Sequence, residues 1–121
     1  MDVIPILIVD DDVSVRSLLA RYLKFDSRLT AIEASNGAEA LSILRAHEDI
    51  AVIVLDLRMP VMDGWTFRRE QRCDPALSRI PVIVVSGADA HRFHELDAAA
   101  TFEKPVQMAE ILRAIQQLCG H

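Results

Sequence analysis

Aromatic residues are scarce in this chain: one Trp, one Tyr and four Phe among 121 residues, against fifteen Ala. The 51% hydrophobic fraction therefore rests on Ala, Val, Ile and Leu, the residues of packed helices and buried strands. Cysteine is nearly absent. Cys73 and Cys119 are too few and too far apart to frame a small disulfide scaffold, and neither lies in a Cys-x-x-Cys pair, so both read as reduced thiols. No Gly/Ser-rich linker, low-complexity tract or solenoid-period repeat interrupts the chain, which excludes disordered, collagen-like and mucin-like classes and suggests one compact domain. Positive charge is also short. Thirteen Lys and Arg against eighteen Asp and Glu leave a formal charge of −5, which argues against direct nucleic-acid binding through counterion release. No apolar run reaches membrane-spanning length, and Asp2 with no basic flank gives no secretion signal, so the expectation is a cytoplasmic protein without membrane insertion.

Short continuous apolar runs are present instead. Ile6–Val9, Ala51–Leu55 and Val82–Val85 lack the alternation of a sheet wet on one face, and read as strands covered on both sides. Thr30–Ala34 and Ala100–Phe102 are weaker strand candidates. Between them, apolar residues recur at helical spacing: Val15, Leu18, Leu19, Tyr22 and Leu23; Ala38, Leu41, Ile43 and Leu44; Met108, Ile111, Leu112, Ile115 and Leu118. Five strand–helix alternations imply an α/β fold, a parallel sheet with helices on both faces. In such sheets ligands sit at the carboxyl ends of the strands, where the strand order reverses.

Chemistry-bearing residues follow four of the five strands. Asp10, Asp11 and Asp12 follow the first, Asp56 the third, Ser86 the fourth and Lys104 the last. A lone acidic residue there is ordinarily a solvated charge or a helix N-cap, and Asp12 fits that capping role. Converging carboxylates differ, because they repel one another unless a cation is present, and hard oxygen ligands with open positions suit Mg²⁺. Serine and lysine at strand ends are individually uninformative. Together with the aspartates they supply a carboxylate nucleophile, a metal site, a hydroxyl donor and a fixed cation, the parts needed to make and hold a phosphoryl group.

The ordered set Ile-Leu-Ile-Val-Asp10-Asp11-Asp12, Leu55-Asp56-Leu57-Arg58-Met59-Pro60-Val61-Met62-Asp63-Gly64, Val-Val-Ser86-Gly87 and Lys104-Pro105 resembles the receiver domains of response regulators. The resemblance covers the whole chain, 1–121, as a single receiver domain with no effector domain. It implies a flavodoxin-like, doubly wound five-stranded parallel sheet of order 2-1-3-4-5, acting as a phosphorelay switch rather than a turnover enzyme. By position, Asp56 is the implied phosphoacceptor. Asp10, Asp11, Asp56 and the Arg58 backbone carbonyl are the implied Mg²⁺ site, with Asp10 acting through water. Lys104 and Ser86 are the implied phosphoryl contacts. Backbone N–H groups of Leu57, Arg58 and Gly87 are expected to add donors, and the Lys104–Pro105 peptide is expected to be cis. The implied partners are a histidine kinase or histidine phosphotransferase and a downstream target protein, with the chain itself a monomer or weak dimer.

The chain departs from that pattern in one region. The interval from Ser86 to Lys104 is 18 residues, about one helical turn short, so the fourth helix, near Ala90–Asp97, is expected to be short or displaced. Thr101 stands where many receivers carry an inward-rotating aromatic residue, and Phe102 is expected in the core. The standard dimer on this face is therefore not expected. Arg58 and Ala88 stand at positions that gate water access to the phosphoryl group in this family. Asp63-Gly64 reads as a turn that caps a helix from near Trp65, Met59–Met62 as loop packing, and His91 with His94 as a surface pair. Two other readings stand beside the switch. A haloacid-dehalogenase-type hydrolase would need an acid where Arg58 stands. A pseudo-receiver would bind partners independently of phosphorylation.

Overall fold

The computed structural model describes residues 3–120. Five strands, β1 (Ile4–Val9), β2 (Leu29–Ala34), β3 (Val52–Leu55), β4 (Val82–Ser86) and β5 (Ala100–Glu103), form one parallel sheet of order β2-β1-β3-β4-β5. Four α-helices connect or follow them: α1 (Val13–Leu23), α2 (Gly37–Ala46), α3 (Gly64–Cys73) and α4 (Met108–Leu118). The order reverses between β1 and β3, which pair in register Ile6↔Val52 through Val9↔Leu55.

The continuous apolar runs are explained by burial on both faces. Leu7, Val9, Ile53, Leu55, Val82 and Val84 point to the side covered by α2 and α3, where Phe67 is fully buried. Ile6, Ile8, Val52, Val54, Ile83 and Val85 point to the side covered by α1 and α4, against Leu19, Leu23, Ile111 and Ile115. Each of these side chains contributes roughly 1.5–3 kcal/mol on leaving water, enough in number to offset the entropy of ordering the chain. On α1, Leu19 and Leu23 are buried, Val15 and Tyr22 half-buried and Leu18 exposed.

Polar residues set where the helices start. Asp12 Oδ1 accepts from the Ser14 and Val15 amides, Asn36 Oδ1 from Glu39, and Asp63 Oδ1 from Thr66. Asp12 and Asn36 halt the chain just beyond β1 and β2, whereas Asp63 caps α3 after a longer loop, 56–62.

The fourth helical segment is a 3-10 helix, Ala90–Leu96. Its inward residues, Ala90, Phe93 and Leu96, recur every three positions, the spacing at which 3-10 side chains eclipse. Asp89 and Asp97 bracket it in the left-handed region, at φ 59° and 49°. The shortened interval is thus taken up by a tighter, narrower helix. The outer strand β5 buries little: Thr101 is exposed and Phe102 only half-buried against the α1 and α4 side, so Phe102 is not the core residue expected of it. Met59 and Met62 pack against the core, but Val61 between them does not. It is 86% exposed and left-handed, at φ 69°. His91 and His94 are both exposed.

Candidate functional site

The strands β1 and β3 end level with one another, so Asp10 and Asp56 leave the sheet side by side. Asp56 N donates to Val9 O at 2.9 Å, and Asp10 N to Ala34 O at 3.1 Å, which extends the ladder by one residue at each strand. One carboxylate oxygen from each of Asp10, Asp11 and Asp56 lies within 4.8 Å of the others. At an effective dielectric near 20, carboxylates that close repel by about 3 kcal/mol per pair. Asp10 and Asp56 are buried, whereas Asp11 is exposed.

Each buried carboxylate is held through one oxygen. Asp10 Oδ1 accepts from the Asp12 amide at 2.9 Å and Asp56 Oδ1 from the Leu57 amide at 2.8 Å. Their other oxygens face Lys104, whose Nζ lies 3.2 Å from Asp10 Oδ2 and 3.6 Å from Asp56 Oδ2. Burial raises the Asp10 pKa above its ordinary value; the Asp56 charge adds to the rise, and the Asp12 amide and Lys104 offset only part of it. Burial alone would lower the Lys104 pKa, but attraction to Asp56 and Asp10 outweighs it and holds the ammonium charged.

Lys104 arrives from the opposite edge of the sheet. Its amide donates to Ser86 O at 3.0 Å, and the Lys104–Pro105 peptide that follows is cis. Ser86 ends β4 almost fully buried, and its hydroxyl accepts from the Ala88 amide at 3.4 Å. Arg58 is not turned onto the carboxylates: its exposed guanidinium pairs with Asp89 at 3.3 Å. Beneath Lys104–Pro105, between α1 and α4, lies a cavity of about 470 Å³. Its wall is apolar, with Val15, Leu19, Met108 and Ile111 facing Asp10, Asp56 and Lys104 at one end.

Two residues support the site from behind; Arg16 has no signal in the sequence, whereas Gly64 ends the Asp56–Gly64 motif. Arg16, on the first turns of α1, donates from Nη1 to Asp10 O at 2.7 Å and from Nε to Glu33 at 3.2 Å, and so braces the main chain that carries Asp10. Gly64 packs so tightly under the site that a Cβ there would lie 2.3 Å from Asp56 O and 2.8 Å from Leu57 Cα. Its amide donates to Leu57 O at 2.8 Å, tying the start of α3 to the residue after Asp56.

A doubly wound α/β sheet with an acidic cluster and a lysine at the strand-order reversal defines the class. The family model for the response regulator receiver domain matches residues 6–116, and the chain belongs to that family, a module of two-component signalling. It is 38% identical over 106 residues to protein-glutamate methylesterase/protein-glutamine glutaminase 2 of Cereibacter sphaeroides, covering 83% of this chain and 28% of that protein. Response regulator MprA of Mycobacterium sp. (strain KMS) is 35% identical over 117 residues, 93% of this chain and 49% of the relative. The chain thus spans less than half the length of either relative. Among solved structures, a response regulator receiver protein from Pseudomonas putida superposes with a TM-score of 0.87 at 27% identity, covering 97% of this chain and 98% of the other. The signal receiver domain of a signal transduction histidine kinase from Syntrophus aciditrophicus gives 0.84 at 27% identity, over 96% and 89%. Among the described residues no helix is long and apolar enough to cross a membrane.

Proposed function

We propose that this receiver accepts a phosphoryl group on Asp56 from the phosphohistidine of a histidine kinase or phosphotransferase, and thereby changes its contacts with a downstream protein. The observation that carries this reading is the meeting of Asp10, Asp11, Asp56 and Lys104 at one end of the sheet. Three carboxylates against one ammonium leave two negative charges, the charge a single divalent cation would balance, and the donor set is all oxygen, as Mg²⁺ requires. Asp10, Asp11, Asp56 and the Arg58 carbonyl would hold the ion. When bound, it supplies positive charge that offsets the carboxylates and the oxygens of the incoming phosphoryl group.

An Asp56 carboxylate oxygen attacks phosphorus; the O–P bond forms as the P–N bond to the donor imidazole breaks, and the nitrogen keeps the electron pair. The Leu57 amide holds the other side of the carboxylate in place. Lys104 then exchanges part of its contact with Asp56 for a phosphoryl oxygen. The Ser86 hydroxyl, held only by a long contact with the Ala88 amide, is available to turn and donate to another. Autodephosphorylation returns the switch to its starting state, so no separate substrate is turned over.

One observation favours a pseudo-receiver: the 3-10 segment and outward-facing Thr101 lack the usual means of transmitting a change at Ser86. Incubation with Mg²⁺ and acetyl phosphate, followed by intact mass measurement, separates the readings. A phosphoryl adduct of about 80 Da that is lost in Asp56→Asn supports the switch. Hydrolysis of acetyl phosphate without adduct points to a hydrolase, and no reaction to the pseudo-receiver.

A further inference from the structure

Away from the acidic site, α3 and the 3-10 segment enclose a groove of about 380 Å³ whose wall carries Trp65, Arg68, Arg69, Arg72 and Arg92 and one carboxylate, Glu95. Four guanidinium groups in one groove stand out in a chain of charge −5. Residues 65, 68, 69 and 72 share one face of α3 by helical spacing. The charges are unevenly balanced. Arg92 stacks over the Trp65 ring at 4.2 Å and pairs with Glu95 at 3.0 Å, and Arg72 lies 4.0 Å from Asp97. Arg68 and Arg69 have no carboxylate partner among the described residues: Arg68 donates to Leu96 O, Asp97 O and Gln71 Oε1, and Arg69 to Thr66 Oγ1. Arg68 is buried and fixed by these three acceptors, which makes it a preorganised cation at the floor of the groove. Trp65 and Arg92 also border a second depression, lined by Leu57, Arg58, Asp63 and Asp89.

We propose that this groove docks a short acidic peptide segment of a partner protein. Alternate residues of an extended strand lie about 6.7 Å apart, and residues four apart on a helix rise about 6 Å, so carboxylates at i and i+2 match the Arg68 and Arg72 spacing along α3. Guanidinium–carboxylate bonds from the exposed Arg69 and Arg72 give such a segment orientation as well as affinity, while the fixed charge of Arg68 lies beneath them. A nucleic acid is disfavoured by the net charge of the remaining surface, which repels a long polyanion.

Trp65 is the single tryptophan of the chain, so its fluorescence reports on this groove directly. The probe is a short peptide of alternating Glu and Ser, titrated into the whole protein at low salt. Saturable change in Trp65 emission is expected. Charge reversal in Arg69→Glu/Arg72→Glu, both exposed positions, should weaken binding about tenfold or more, and Arg69→Gln/Arg72→Gln should weaken it less. Arg45→Glu, at the end of α2, should change it less than about twofold. Unchanged melting temperatures would show that the variants remain folded. No saturable binding, equal losses in Arg45→Glu, or inorganic phosphate binding as tightly as the peptide would each overturn the proposal. Tighter binding of single-stranded oligothymidylate than of the peptide would overturn it in favour of nucleic acid.

Discussion

Lys104 Nζ and Asp10 Oδ2 meet at 3.2 Å across 94 residues of chain. That contact joins the last strand to the first at the point where the strand order reverses. It also sets a balance, since among the described residues Lys104 is the one ammonium set against three carboxylates gathered within 4.8 Å.

The balance predicts opposite effects from two substitutions in metal-free protein. A raised Asp10 pKa means that folding penalises its charge at neutral pH, so Asp10→Asn should stabilise the fold and raise Tm. Lys104→Met removes the attraction and should lower Tm. Adding Mg²⁺ should raise the wild-type Tm and raise that of Asp10→Asn less, as thermal melts with and without the ion will show.

Gly64→Ala should destabilise by about 2–3 kcal/mol in urea unfolding, because the added methyl meets main-chain atoms of Asp56 and Leu57 that cannot swing aside. The same displacement moves the carboxylate of Asp56. Phosphorylation by acetyl phosphate should therefore slow in this variant even below its unfolding transition.

Val61 offers the reverse case. Its β-branched side chain stands in the left-handed region while almost wholly exposed, so no packing is lost on removing it. Val61→Gly should raise stability by about 0.5–1 kcal/mol, with the entropy cost of glycine taking back part of the relieved strain.

Asp26 gives a pH signature away from the site. Its buried carboxylate accepts from the Arg28 side chain at 2.9 and 3.0 Å, from the Arg28 amide at 3.0 Å and from Gln116 at 3.1 Å, which together hold its pKa well below the ordinary 3.8. A depressed folded-state pKa contributes stability that is present above the unfolded value and lost as pH falls through the folded one. Asp26→Asn should thus be less stable than wild type at neutral pH, and the gap should close in acid below pH 3.8 when Tm is followed against pH.

Much of the scaffold is legible in the amino-acid sequence. Strands covered on both faces must be apolar at every position, which is why Ile6–Val9 and Val82–Val85 announced themselves, and Asp12 and Asp63 announced the helices they cap. The clustering of Asp10, Asp11, Asp56 and Lys104 was legible because the fold places strand ends together. Less was legible where partners lie far apart without a pattern. Arg16 under Asp10, the link from Asp26 to Gln116, and the bonds of Arg68 to Leu96 and Asp97 depend on tertiary positions that no local spacing encodes. Phe102 reaches the core only in part for a related reason: β5 is an edge strand, covered too little to bury it fully.

Asp56, rather than its acidic neighbours, is the residue proposed to become the acyl phosphate. Phosphorylated protein reduced with borohydride converts an aspartyl phosphate to homoserine, and peptide mass mapping then locates the converted residue. Homoserine is expected at position 56 alone, dependent on Mg²⁺. Homoserine at position 10, 11 or 12 would contradict it, as would an adduct that resists reduction.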